Sequence, residues 1–579
     1  MKFNKNDVWV FLGIYIFLAV IAVIFVIFPD YDWYNYKFYN CWAFLTDRLS
    51  IDFLAANFRT CFSPLIELPE YLLLWKLNNH PYLFIVLTLF DSSFFLFLLY
   101  KISSFFVDKL LSWRSIESFR FSKFFIFLVK IFPVFYIVFS PAMVQQMSFD
   151  QNDVKIGIII LTAFCILLRN LFIPADKKRN LFILLAGMLI GLAVGLKLTA
   201  CIYAISFCLL MLVLAKKIDR PFQTIGLFIL GIVPVFLAVD GFWLIKCYNV
   251  YNNPFFPYFN NIFKSEYALT NNLLKQDYAH LHPHSAFEFI FYPFYSCCID
   301  RMYGNDMYSW DSRYAINFVA VACLTGGLLV SRFSDKVKNY CSQIFCSEEF
   351  LFLILFSIVP YYVNLLIFGT YRYVLSSSAV FGIVLLSLIY VLSSVCKRKA
   401  IFVTIFCAIL GGYVYLTDDI GNVEFVKDYE ENKPFGYSKV FEVKDMNFDD
   451  DSYVVFLNQG ASVVVVGQNP NVKIIGGEMP VEVFNKHFDT IKNIDYWYNS
   501  RYLKSAYAEK LVSDIFASDK KVYVLYQNGE EHRLILDDGL AFLDKSHKRT
   551  LENCEDVMFK VFSSRYWATD IIKCEFNKK

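Results

Sequence analysis

Charge is scarce in this chain. Asp, Glu, Lys and Arg make up 18% of its 579 residues, while hydrophobic residues make up 57%. A soluble domain carries about a quarter charged residues, so the balance points to a bilayer protein. No clustered basic face appears, and with it the usual footprint of nucleic-acid binding is excluded. The formal net charge of +2 says little, because the charges are segregated along the chain. The fifteen cysteines form no repeated C-x-x-C, which excludes the common zinc and redox motifs. Most stand singly in apolar segments, where a thiol behaves as a small hydrophobe. There is no Gly-rich phosphate loop, Ser/His/Asp triad or H-E-x-x-H motif. His280, His282 and His284 alternate in "HLHPH", but Pro283 interrupts them and no Cys or carboxylate stands at ligand spacing, which argues against a metal site.

Long apolar runs are what the chain has instead. A membrane span needs about 20 mostly apolar residues. Runs near 8–28, 82–100, 123–140, 154–171, 181–196, 199–215, 222–243, 314–331, 350–367, 374–395 and 400–416 give eleven expected spans. "GLKLT" (195–199) reads as a break within a hairpin or a re-entrant turn. The first run has no small-residue cleavage site before Pro29, so it reads as a retained anchor. Lys2 and Lys5 precede it. Alternate connections then hold Lys101, Lys109, Arg114, Arg120 and Lys123; Arg169, Lys177, Lys178 and Arg179; and Lys216, Lys217 and Arg220. Arg332, Lys336 and Lys338 follow, then Lys397, Arg398 and Lys399. With eleven spans these clusters share one side, the cytoplasmic side by the positive-inside rule. Residues from 417 onward are then external, as are the connections 29–81, 141–153 and 248–312. The first of these contains "FSPLIELPEYLLLW", which reads as an amphipathic interfacial helix pair.

The expected architecture is a polytopic α-helical membrane domain over 1–416 and a soluble α/β domain over 417–579. In the tail, "SYVVFLN" and "ASVVVVG" are β-branched runs bounded by turn residues, and "KVYVLYQNG" ends in a turn signal, so all three read as strands. Residues 482–518 are patterned as helix. Cys554 and Cys574 lie on the oxidising side in this topology. They are either bridged or two free thiols, and their spacing does not decide between the two.

Several residues are placed for chemistry. "FPDYDWYNYKFYN" (28–40) puts Asp30 and Asp32 where the first apolar run ends. One of them is suited to cap a helix beginning near Trp33, but one cap does not explain two carboxylates at a membrane boundary. A carboxylate partly shielded from water makes a better general base near neutrality. Asp153 is suited either to cap the span it precedes or to hold a divalent cation or a sugar hydroxyl. Lys197 stands between two apolar stretches, either snorkelling to the interface or contacting a headgroup phosphate, with flanking glycines and Thr199 opening the backbone to the same anion. Arg372, in "GTYRYVL", opposes the dipole of the helix it starts and needs an anion: a lipid phosphate or one of these carboxylates. Arg301 and Arg313 are weaker candidates of the same kind. "NNPFFPYFN" (252–260) reads as an aromatic interfacial turn, a wall for a sugar or lipid chain.

Taken in order, "PDYDWYNYKFYN", "FDQNDVKIGI", "GLAVGLKLT", "NNPFFPYFN" and "YRY" resemble bacterial membrane glycosyltransferases of the GT-C fold, which use polyprenyl-phosphate-linked sugars outside the inner membrane. The resemblance covers roughly residues 8–416. It implies an acidic base just after the first span, which matches Asp32, near Tyr36, with Asp30 as the alternate. It further implies a second external acid, matching Asp153, and basic residues for the lipid phosphate, matching Lys197 and Arg372. The pattern has His after the tyrosine, where this chain has Lys37, a departure that bears on donor binding. A divalent cation (Mg2+ or Mn2+) at the carboxylates stays open. The acceptor is an envelope glycan, a lipid or a protein. A lipid-linked oligosaccharide flippase would instead line a midplane path with charge and repeat its halves, and neither feature appears. A membrane-anchored interaction protein would leave Asp30, Asp32, Asp153 and Lys197 unexplained.

Overall fold

The computed structural model describes residues 5–25, 32–113, 122–146, 152–268, 281–295, 311–329, 335–396, 439–456, 462–476, 506–527, 549–557, 559–561 and 571–578. The chain forms two compact units, each assembled from three stretches of sequence. One comprises Met1–Ile27, Ile85–Val239 and Tyr278–Pro434; the other comprises Phe28–Phe84, Asp240–Asp277 and Phe435–Lys579. The boundary expected at 416/417 rests on the apolar character of the sequence, whereas by packing the tail shares a unit with residues 28–84.

Among the described residues, every apolar run up to residue 396 is largely helical; the run 400–416 lies outside the described residues. Among the described residues, five helices are long and apolar enough to cross a bilayer: Lys5–Ala22, Pro81–Ser112, Lys177–Leu196, Pro221–Tyr251 and Glu348–Ile367. A sixth results if Tyr371–Ala379 and Phe381–Val395, bent by 44°, count as one span. Lys123–Val138, at 16 residues, and the apolar helices Leu198–Val213 and Arg313–Leu328 fall short of the ~20 residues usual for a crossing. Among the described residues, the expected spans therefore exceed what helix length and apolarity alone support. Helix Asp335–Cys346 is invisible to hydropathy because it is polar, burying Cys341 and Ile344.

The helical unit packs closely where small residues allow it. A Cβ on Gly187 would lie 2.1 Å from the Phe228 carbonyl oxygen, so helix Lys177–Leu196 approaches its neighbour backbone to backbone, as small residues permit in a bilayer. Ser122 and Asp176 cap two helices, accepting from Phe125 N (3.1 Å) and Arg179 N (2.6 Å). Polar ties join connections that the positive-inside rule groups together. Asp7 pairs with Lys101 at 2.7 Å and Lys109 with Glu349 at 2.6 Å. Buried Arg179 donates to the Asn170, Leu171 and Asp219 carbonyls and to Thr224 Oγ1.

The second unit is built on a five-stranded sheet in the order Lys473–Ile475, Tyr453–Phe456, Val522–Gln527, Ile571–Lys578, Arg549–Asp556. The first three strands run parallel and the last two pairings are antiparallel. Helix Ala506–Ala517 precedes the third strand in the order and buries Ile515 and Phe516. Two of the expected strands form. The third, "ASVVVVG", is instead a 3-10 turn, Ser462–Val465. Its valines are buried without alternation, at 1%, 0% and 1% exposure for Val463, Val464 and Val465, so packing on all sides overrides β propensity.

Chain from the first connection extends this sheet at its edge. Phe53 N donates to the Ile474 carbonyl, and Gly476 N donates to the Phe53 carbonyl. A Cβ at Gly476 would meet the Leu54 oxygen at 1.8 Å, so only glycine admits this approach. Beside it, Arg48 grips Asp52 through Nε and Nη2, each at 2.6 Å. The same guanidinium donates to the Pro470 and Val472 carbonyls. Asp52 also accepts from Tyr39 Oη at 2.6 Å and Ile474 N at 2.8 Å. Phe38, Tyr71 and Trp75 gather around Phe441. Of "FSPLIELPEYLLLW", only Leu68–Leu77 is helical.

Arg48→Met leaves the Asp52 carboxylate buried without its counter-charge. It is expected to lower stability by about 3–5 kcal/mol, read as an earlier unfolding transition by tryptophan fluorescence in detergent. An unchanged transition would remove the pair from the account of this unit. Cys554 and Cys574 form a disulfide between neighbouring antiparallel strands. Non-reducing proteolysis and mass spectrometry of protein from cell envelopes should recover a Cys554–Cys574 cross-linked peptide. Two free thiols would contradict an extracytoplasmic tail.

Candidate functional site

The chemistry-bearing residues form two constellations, one in each unit. In the sheet-containing unit, Asp32 leads directly into a π-helical turn, Trp33–Lys37, followed by helix Phe38–Leu45. Such turns are short and often mark functional positions. Asp32 has helical torsions, φ −61° and ψ −33°, and its side chain makes no cap hydrogen bond. The capping role is therefore not its role. Instead Oδ2 accepts from Tyr36 Oη at 3.0 Å, Arg59 Nη1 stands 3.5 Å from Oδ1, and Lys37 Nζ stands 3.9 Å from Oδ2. Both cations also lie over the Tyr36 ring, Arg59 at 5.4 Å and Lys37 at 5.7 Å from its centroid.

The scaffold behind this carboxylate is local. Asn40 Nδ2 donates to the Arg59 carbonyl at 2.8 Å, fixing the backbone that presents the guanidinium. Phe62 packs edge-on to Tyr36 (5.8 Å) and stacks on Tyr258 (6.3 Å). Tyr258 belongs to "NNPFFPYFN", whose Asn253 side chain accepts from Phe255 N and donates to the Tyr258 carbonyl. That segment is thus a side-chain-stapled turn backing Tyr36. Asp32 is 15% exposed at its side chain and Lys37 only 2%. Asp30 lies outside the described residues.

In the helical unit, Asp153 begins helix Asn152–Asn170 and Lys197 ends helix Lys177–Leu196 in an extended conformation, φ −151° and ψ 108°. The break expected at "GLKLT" is present. Lys197 Nζ meets Asp153 Oδ1 at 2.5 Å, and Asp153 N donates to Gln146 Oε1 at 3.0 Å. Lys197 lies 5.2 Å and Arg372 5.5 Å from the centroid of the Tyr373 ring. The structure so brings Asp153, Lys197 and Arg372 around one tyrosine. Arg313, by contrast, is buried in a pair with Asp311 at 2.5 Å, a structural contact; Arg301 lies outside the described residues.

A divalent cation is poorly matched by these donors. Both oxygens of Asp32 face cations or a phenol donor, and Asp153 is paired to Lys197. Among the described residues no three His, Cys, Asp or Glu side chains converge. His282 Nδ1 is bonded to the Leu365 carbonyl at 2.8 Å, and His280 lies outside the described residues. Arg59 and Tyr373 escape a motif reading. Arg59 had one signal: an isolated cation in a connection that the positive-inside rule makes external. Tyr373 is adjacent to Arg372, but nothing in the sequence indicates that Lys197 reaches it.

No protein-family model matches this sequence, and no curated protein does. Some solved structures are distantly similar. An archaeal oligosaccharyltransferase, AglB from Archaeoglobus fulgidus in complex with an inhibitory peptide and a dolichol-phosphate, has 13% identity and a TM-score of 0.46, covering 97% of this chain and 75% of that one. The Archaeoglobus fulgidus oligosaccharyltransferase in complex with Zn and sulfate has 14% identity and a TM-score of 0.43, over 93% and 71%. ArnT from Cupriavidus metallidurans bound to undecaprenyl phosphate has 11% identity and a TM-score of 0.37, over 99% and 98%. These neighbours are GT-C fold glycosyltransferases. With every TM-score below 0.5, the likeness is distant and does not extend to the residues of either constellation.

Asp153 and Lys197 are coupled by their contact. Asp153→Asn and Lys197→Met are each expected to lower stability, and the double variant to cost less than their sum by about 0.5–3 kcal/mol. A double-mutant cycle by thermal unfolding in detergent measures this, and strict additivity would show that the pair contributes nothing.

Proposed function

We propose that this protein is an inverting glycosyltransferase that moves a sugar from a polyprenyl-phosphate donor to an envelope glycan, lipid or protein acceptor. The observation that carries the reading is the Asp32 carboxylate, oriented by Tyr36, Arg59 and Lys37 just after the first apolar helix. In this reading an acceptor hydroxyl transfers its proton to Asp32 while its oxygen forms the new bond to the anomeric carbon. The bond from that carbon to the phosphate oxygen breaks, and the lipid phosphate leaves with one further negative charge. Such a leaving group needs no general acid, and a single in-line displacement inverts the anomeric centre. That logic separates the site from a hydrolase, which flanks its bond with two carboxyl groups.

Lys197 and Arg372 are the groups that offset the charge growing on the phosphate, an electrostatic contribution of the kind that often dominates catalysis. Tyr373, whose ring both cations approach, supplies an aromatic face beside them. Asp153 holds the Lys197 ammonium in place. Asp30 is the alternate base. No step is routed through a metal ion. The N-terminus is assigned to the cytoplasm and the tail to the external face of a bacterial inner membrane. The alternating basic connections support this, as does the disulfide, which is typical of an oxidising compartment.

Asp32→Asn keeps the shape of the side chain and removes the base. It is expected to lower transfer by about 10²–10⁴-fold, the usual contribution of general base catalysis. The measurement is mass spectrometry of envelope glycans from a deletion strain carrying wild type or the variant at equal expression. A sugar-sized increment restored by wild type alone supports the reading. Full restoration by Asp32→Asn would take the base role from Asp32, and a deletion that alters no glycan would sink the enzyme reading itself.

A further inference from the structure

We infer that the Ser462–Val465 turn of the C-terminal segment positions Asp32, with Ser462 acting through the Asn35 carbonyl. This rests on the proposal that Asp32 is the base. Ser462 is fully buried, and its hydroxyl donates to the Asn35 oxygen at 2.5 Å, across 427 residues of sequence. Asn35 is the middle residue of the π turn Trp33–Lys37, which starts immediately after Asp32. In a π turn the hydrogen-bond ladder slips by one residue, here Phe38 N to the Trp33 carbonyl, and such turns are rare and frequent at functional sites. Ser462 thus donates from outside the helix to the middle of this turn. Val463, Val464 and Val465 are buried with it, so the hydroxyl sits away from water.

The same C-terminal stretch holds the far end of this element. Residues 470–474 bind Arg48 and Asp52, which follow helix Phe38–Leu45. The π turn and its helix are thus attached at both ends to residues 462–474. A catalytic group must be held to within about 0.5 Å of its productive position by the shell behind it. The tail supplies that shell, so it is part of the catalytic apparatus and not an appended module. Ser462 is a positioning residue: it touches no reacting atom and acts on Asp32 through the backbone.

The test uses Ser462→Thr and Ser462→Val, which add nearly the same bulk to the buried site and differ in the hydroxyl. Hydrogen–deuterium exchange of purified full-length protein in detergent reads residues 33–40, with strand 522–527 as the control for an intact fold. The valine variant is expected to exchange roughly 2–10-fold faster over 33–40 than the threonine variant, the scale of one hydrogen bond, with 522–527 unchanged. In the complemented deletion strain, threonine should restore the glycan, and valine should reduce it by up to about 10²-fold. Equal exchange in the two variants would overturn the inference, because the hydroxyl would then hold nothing. Faster exchange in the valine variant with full glycan would overturn it too, because the hold would not matter to transfer. If Asp32→Asn itself restores the glycan, the premise fails, and the exchange result still reports separately on whether Ser462 holds the turn.

Discussion

A single buried ion pair organises the sheet-containing unit. Arg48 and Asp52 stand one helical turn apart, and a pair at that spacing on a surface is worth a few tenths of a kcal/mol. Here both are buried, and desolvating two charges is tolerated only when their remaining donors and acceptors are used. The backbone supplies those partners: two carbonyls of 470–472 for the guanidinium, and the Ile474 amide and Tyr39 hydroxyl for the carboxylate. Satisfying the pair forces the segment around Arg48–Phe53 and the C-terminal sheet into one register. Phe53, next in sequence, then pairs with the sheet edge, and an edge that would otherwise be open to association is covered.

The candidate carboxylates Asp32 and Asp153 obey the same rule of compensation by different means. Asp32 and Asp153 each face a cation, and in each constellation a tyrosine ring lies beneath the cations as well. An aromatic face attracts a cation without neutralising it, so the positive charge stays available to a second anion. An arrangement of carboxylate, cation and ring can therefore exchange one partner for another at little cost in charge. That property suits a site visited by a phosphate which arrives and leaves.

Much of the helical architecture was legible, because apolar runs report burial or lipid contact whatever their neighbours are. The break at Lys197 was legible for the same reason: a lone charge between two such runs has few places to go. The polar helix Asp335–Cys346 was not, since nothing in its composition marks a helix that covers others. Val463 to Val465 misled in the opposite way, because a fully buried run lacks the alternation that separates strand from turn. Among the candidate residues, Asp32, Lys37 and Tyr36 are close in sequence and could be grouped from it. Arg59 comes from the end of the strand Ala55–Phe58, and Ser462 from the far end of the chain. Pairings of that kind depend on tertiary structure and leave no local mark.

The core shared by the three segments of the sheet-containing unit carries a topological consequence. Leu49 and Phe53 from the first segment, Trp243 and Tyr251 from the second, and Val455 and Ile475 from the third pack into one hydrophobic cluster. Segments that share a core lie on one side of a bilayer. The chain must therefore cross an even number of times between the first and second segments, and again an even number between the second and third. The apolar runs of the sequence number six in the first interval and four in the second, which meets that parity. Whatever the fate of the shorter helices, they enter or leave the bilayer in pairs.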